Sequence, residues 1–186
     1  MIASRSHRFS VAKYYRLAEI GVLRPEHRVE LLNGEFYDKP RRSPFHCSVT
    51  CELSTLFCLN SRDRWIVSVH IPLRLDEFSE PEPDLMLVRF RDDYYYNQHL
   101  GPADALLVIE VAENALEFDR ELKLPAYGRA GISEVWIVNL NELTVEVYRE
   151  PHFAGYASRT VLRAGEQASP AAFPDVSVDV AELLRR

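Results

Sequence analysis

A chain of 186 residues that is 47% hydrophobic and 27% charged has the size and composition of one globular domain, which excludes a disordered polymer. Its formal net charge of −6 argues against a surface made for indiscriminate nucleic-acid binding, which relies on Lys and Arg to neutralise phosphates. No apolar run approaches the roughly 18 residues needed to cross a bilayer, and residues 1–10 are polar, without the apolar stretch of a secretory leader, so a cytoplasmic location is expected.

Ser10 precedes an amphipathic run over residues 11–20 and Gly21 follows it, the signature of a capped helix. Val29 to Leu32, then Asn33-Gly34, then Glu35 to Tyr37 reads as a hairpin, because Asn-Gly tolerates the positive φ of a type I′ turn. After a polar break at residues 41–44, residues 45–60 read as a second helix. Residues 65–75 read as a strand, residues 79–83 as a proline-broken turn, residues 85–88 as a short strand and residues 91–103 as a loop. Residues 106–111 form a continuous apolar run with one acid, which fits a strand buried on both faces.

Residues 119–130 read as a helix closed by Gly131, with Pro125 as an interior difficulty. Residues 135–138 and 144–148 read as a strand pair turning at Asn141. A further strand near residues 157–162 and a short element around residues 180–184 complete the chain. The order predicts an α/β (α+β) fold, a mixed central sheet flanked by helices, in a single domain over residues 1–186.

Cys47, Cys51 and Cys58 all fall on the second helix, where they share a face with Ser54. Zinc needs four ligands and no second cluster follows, so a small-residue face packed on a sheet is expected instead. His7, His27, His70, His99 and His152 are scattered and give no zinc-hydrolase spacing. Arg41, Arg42, Arg62 and Arg64 are candidates for a local basic patch. Tyr94, Tyr95 and Tyr96 could stack on bases, line an oligomer interface or pack locally.

Three ionisable residues occupy costly positions. Asp84 opens a strand directly after Pro83, and Glu110 ends the most apolar strand. A buried carboxylate must be paired, hydrogen-bonded, metal-bound or protonated. Lys123 lies on the helix that follows, on one face with Asp119 and Tyr127. Two carboxylates on neighbouring strands suit Mg²⁺ or Mn²⁺, and an added lysine completes the parts for phosphodiester hydrolysis. His46, at the start of the second helix, could contact a phosphate or a ligand near the metal.

Pro83-Asp84, the run from Val108 to Val111, Asp119, Lys123, Tyr127 and the segment from Gly131 to Val138 resemble the family of putative restriction endonucleases in the PD-(D/E)XK nuclease superfamily. The segments from Val29 to Glu35 and from Ser43 to His46 resemble its N-terminal pattern, so the likeness spans nearly the whole chain. It implies a restriction-endonuclease-like fold and a metal-dependent cut in DNA. By the same likeness Asp84 and Glu110 would ligate the metal. Glu30 would be the N-terminal acid reaching the metal through water, and Lys123 the catalytic lysine. The sequence departs from the superfamily pattern at Ala112, where the lysine usually stands two residues after the second acid. Lys123 is the one lysine beyond residue 39 and so the one downstream substitute.

Two other readings follow from the same residues. Ala112 and the net charge of −6 fit a catalytically silent module that binds DNA or a protein partner. A glycosidase with a carboxylate pair is the third, without sugar-stacking aromatics beside Asp84 or Glu110 to support it. Cutting both strands of a duplex would favour a symmetric homodimer.

Overall fold

The apolar run beginning near Leu106 is the middle of a strand because both of its faces are covered. In the computed structural model, which describes residues 7–24 and 26–185, it becomes β5 (Ala105–Ala112). Leu107, Ile109 and Val111 join one hydrophobic cluster with Val49, Leu53 and Phe57. Val108 and Ala112 join a second cluster with Leu124, Tyr127 and Ile137. Each fully buried aliphatic side chain contributes about 1.5–3 kcal/mol, and strand alternation divides that gain between two layers. Glu110 projects on the second face.

β5 lies inside a six-stranded sheet ordered β3-β4-β5-β6-β7-β8. These strands are β3 (Trp65–Val69), β4 (Leu85–Arg89), β6 (Glu134–Asn139), β7 (Thr144–His152) and β8 (Gly155–Leu162). All neighbours are antiparallel except β5 and β6. A parallel pair needs a crossover. Here the crossover is helical: α3 (Leu116–Phe118), a π-helical turn over Asp119–Lys123 and α4 (Leu124–Arg129).

Pro125 explains the irregular turn. It cannot donate a helical hydrogen bond, and its ring would strike a carbonyl one turn back. The Leu124 N–H reaches Asp119 O, five residues back, and Pro125 falls at the start of the next regular stretch. The expected helix over residues 119–130 therefore begins earlier and contains a bulge, a feature that often marks functional sites.

On the opposite face lies α2 (Pro44–Asn60), capped by the Ser43 hydroxyl, which accepts from the His46 N–H. Its core-facing residues are Val49, Leu53 and Phe57, while Cys47, Cys51 and Cys58 are exposed. The expectation of a cysteine face packed on the sheet is thus corrected. The larger hydrophobes took that face because they remove more apolar area from water. α1 (Val11–Glu19) is capped by Ser10 as expected. The hairpin of β1 (Val29–Leu32) and β2 (Glu35–Asp38) turns at Asn33 and Gly34, with φ of 53° and 83°, as a type I′ turn requires.

Two boundaries differ from expectation. The strand read over residues 65–75 ends at Val69, because His70 takes a φ of 53° and Pro72 follows. The tail adds a small pair, β9 (Gln167–Ala168) with β10 (Val178–Asp179), before the turn of helix α5 (Val180–Leu183). Residues 1–6, part of the polar N-terminal stretch, lie outside the described residues. Among the described residues no helix is long and apolar enough to cross a membrane.

Candidate active site

The site gathers where β4 begins and β5 ends. The antiparallel register sets Leu85 against Ile109, which brings Asp84 and Glu110 to the same end of the sheet. The crossover lays Lys123 over Glu110, and the β1–β2 hairpin supplies Glu30. A pocket of about 450 Å³ opens above them, lined among others by Glu30, His46, Asp84, Glu110, Asp119 and Lys123.

Lys123 is the hub. It is only 5% exposed, and its Nζ lies 3.2 Å from Glu110 Oε1, 3.3 Å from Glu30 Oε1 and 3.7 Å from Asp119 Oδ1. Burial acts to lower its pKa, but these carboxylates outweigh burial and hold the ammonium well above its ordinary value. Ala112 shares the face of Glu110, where a lysine two residues on would project. That position is fully buried against the crossover, and the cation comes from the crossover instead.

The acids have distinct supports. Tyr127 Oη donates to Glu110 Oε1 at 2.6 Å, and the Glu82 N–H donates to Glu30 Oε2 at 3.0 Å. Asp84 Oδ2 accepts from the Val111 N–H at 2.9 Å and lies 3.2 Å from His46 Nε2. Asp84 Oδ1 faces Arg42 Nε at 3.5 Å and His70 Nδ1 at 3.6 Å. Arg42 Nη2 is in turn 2.9 Å from His70 Nδ1.

These surroundings pull the carboxyls apart. Burial alone would raise Asp84, but the His46 contact, the Val111 N–H and the Lys123 charge lower it below the usual carboxylate value. Burial raises Glu110 well above its ordinary range, against Lys123 and with help from the charges of Asp119, Asp84 and Glu30. Asp119 is pushed up to about 7, mainly by burial, with Lys123 opposing and Asp84 and Glu30 reinforcing. Glu30, Asp84, Glu110 and Asp119 are all buried around one buried lysine, so burial and mutual repulsion favour protonation of some of them unless a further cation is bound.

The donor set decides which cation fits. Among the described residues no three His, Cys, Asp or Glu side chains converge as a metal cage. Mg²⁺ and Mn²⁺ bind through one or two carboxylates and keep several waters, so Asp84 and Glu110 are the residues that could hold such an ion together with solvent.

All seven residues singled out in the sequence meet here: Glu30, His46, Asp84, Glu110, Asp119, Lys123 and Tyr127. Lys39, Arg42, His70 and Glu82 also belong to the cluster. Lys39 Nζ sits 2.5 Å from Glu82 Oε1, and Arg42 Nη2 sits 3.6 Å from it. His70 had only its scattered position in the sequence, and its approach depends on the left-handed backbone after β3. The expected basic patch divides. Arg41 and Arg42 line the pocket, while Arg64 pairs with Asp175 at 2.8 Å and covers the Trp65 ring. Tyr94, Tyr95 and Tyr96 are not at the site, since Tyr95 Oη donates to Arg89 O at the opposite end of β4.

Similarity to known proteins agrees with this architecture. A crystal structure of a putative nuclease belonging to DUF820 from Anabaena variabilis ATCC 29413 superposes with a TM-score of 0.74 at 13% identity, covering 95% of this chain and 97% of that one. No curated protein matches the sequence. The family described as Putative restriction endonuclease (Uma2) matches residues 11–181, and across that span the chain belongs to it.

Proposed function

We propose that the chain is a divalent-metal-dependent endonuclease that hydrolyses phosphodiester bonds in DNA. The observation that carries this reading is the buried contact of Lys123 with Glu110 and Glu30, beside Asp84, at the floor of an open pocket. Asp84 and Glu110 would hold Mg²⁺ or Mn²⁺, which supplies polarisation of the phosphoryl oxygen and acidification of a water.

The protein's own groups do the rest. Both hydrogen bonds described for Glu110, from Lys123 and Tyr127, fall on Oε1, which fixes the carboxylate plane. The Val111 N–H and His46 orient Asp84 in the same way. The Lys123 ammonium orients a water and offsets charge on the scissile phosphate. Asp119 stands beside Lys123, with Oδ1 3.7 Å from its Nζ, and helps hold that ammonium in place.

The test is nicking and linearisation of supercoiled plasmid in Mg²⁺ or Mn²⁺ by wild type, Asp84→Ala and Lys123→Ala. Cleavage by wild type, reduced by about 10²-fold or more in both folded variants, supports the reading. Tight DNA binding without turnover in either metal would overturn it in favour of a silent binding module.

A further inference from the structure

An acidic pocket floor is a poor surface for a polyanion, and the lip of the same pocket is basic. Arg28, Lys39, Arg41 and Arg42 line it, close together, although the chain as a whole carries a net charge of −6. The arrangement is built by the open end of the β1–β2 hairpin. Val29 pairs with Asp38, so Arg28 stands opposite Lys39, and the Lys39 N–H donates to Arg28 O at 2.7 Å. Like charges directly opposite across a strand pair are destabilising.

The partners of these four cations differ. Lys39 is neutralised by Glu82, and Arg42 is shared among Glu82, Asp84 and His70. Arg28 and Arg41 form no ion pair among the described residues. Arg28 is half-buried and Arg41 exposed, so both present charge to the pocket mouth. Arg42 uses Nε and Nη2 in its contacts, two of them at 3.5 and 3.6 Å.

We infer that Arg28 and Arg41 form a phosphate-binding lip that seats the DNA backbone beside the scissile bond, with Arg42 bridging the lip to Asp84. This rests on the nuclease reading given above. The ligand is a phosphodiester backbone, because unpaired guanidinium forks offer paired donors matched to phosphate oxygens. Such contacts position a duplex without reading its sequence.

The experiment is fluorescence anisotropy of a labelled DNA duplex without divalent metal, across a salt series. It compares wild type, the charge-removing pair Arg28→Gln/Arg41→Gln and the charge-keeping pair Arg28→Lys/Arg41→Lys. Thermal melting confirms that each is folded. Each phosphate contact contributes about 0.9 to the slope of log Kobs against log salt, so the Gln pair should lower that slope by about 2, and the Lys pair should restore most of it. An unchanged slope in the Gln pair, or no duplex binding by wild type, overturns the lip. Plasmid cleavage by the same wild-type preparation separates the two ideas. Cleavage with an unchanged slope removes the lip and leaves the nuclease. A lowered slope without cleavage keeps the lip and removes the nuclease.

Discussion

Lys123 Nζ lies 3.2 Å from Glu110 Oε1, with both side chains almost fully buried, so the ammonium is tolerated there only because Glu110, Glu30 and Asp119 surround it. Removing the cation leaves Glu30, Glu110 and Asp119 facing one another. Lys123→Met should therefore destabilise the metal-free protein by about 3–5 kcal/mol near neutral pH, measured by urea unfolding. The loss should shrink in acid, where the orphaned carboxyls take up protons. A loss that stays constant with pH would contradict a charge-balancing role.

Asp119 gives a pH dependence with a defined sign. Its carboxyl is raised from 3.8 to about 7, so the folded state holds the proton more tightly than the unfolded state. That contribution to stability is complete below the unfolded value and is lost as pH rises through about 7. Asp84 works in the opposite sense, since its lowered pKa stabilises the fold above its ordinary value and fails as pH falls through the depressed one. Asp119→Asn should flatten the fall in stability between about pH 4 and about pH 7. Parallel wild-type and variant curves would exclude this role for Asp119.

Divalent cation should stabilise the folded chain by adding charge to that floor. At a concentration of about 100 Kd, Mg²⁺ or Mn²⁺ should add about 2.7 kcal/mol, visible as a rise in Tm. The rise should vanish in Asp84→Ala and in Glu110→Ala. An equal rise in Ca²⁺, Mg²⁺ and the two variants would mean nonspecific screening rather than a site.

Tyr127 is fully buried beside Glu110. Its hydroxyl donates to Glu110 Oε1 at 2.6 Å. Tyr127→Phe keeps the packing and removes one hydrogen bond to a charged group, at about 1.5–3 kcal/mol. Support of this kind around a metal ligand is worth about 10–100-fold in metal affinity, so calorimetric titration should show weaker metal binding. Unchanged affinity would leave Tyr127 with packing alone.

Gly128 holds the crossover against the sheet. A Cβ built there would lie 2.1 Å from Gly155 O, a backbone atom that cannot swing aside. Alanine normally gains about 1 kcal/mol over glycine in a helix. Gly128→Ala should instead destabilise by about 1–3 kcal/mol through overpacking. Because α4 continues directly from Lys123, its displacement should also impair the site. A stabilised variant would show that the approach is easily relieved.

The elements legible in the sequence were those whose signal is local. Ser10 and Ser43 cap helices with their own hydroxyls, Asn33-Gly34 turns a hairpin by its backbone freedom, and the apolar run of β5 needs cover on both faces. The acids Asp84 and Glu110 stood out for a related reason, since their neighbours in sequence are apolar. What the sequence left open concerns positions far apart along the chain. The cysteine face lost the sheet to Val49, Leu53 and Phe57 because burial depends on competing volumes across a whole interface. Arg42, His70 and Glu82 joined Asp84 because β3, β4 and the segment before α2 converge, which no spacing encodes. Ala112 left the place of the lysine open, and packing of the crossover on β5 brought Lys123 within 3.2 Å of Glu110. Residue types and local pattern determined which groups could act. The burial and electrostatic environment that joins them exists only once the sheet and its crossover have closed, because Coulomb and desolvation energies depend on distances in space.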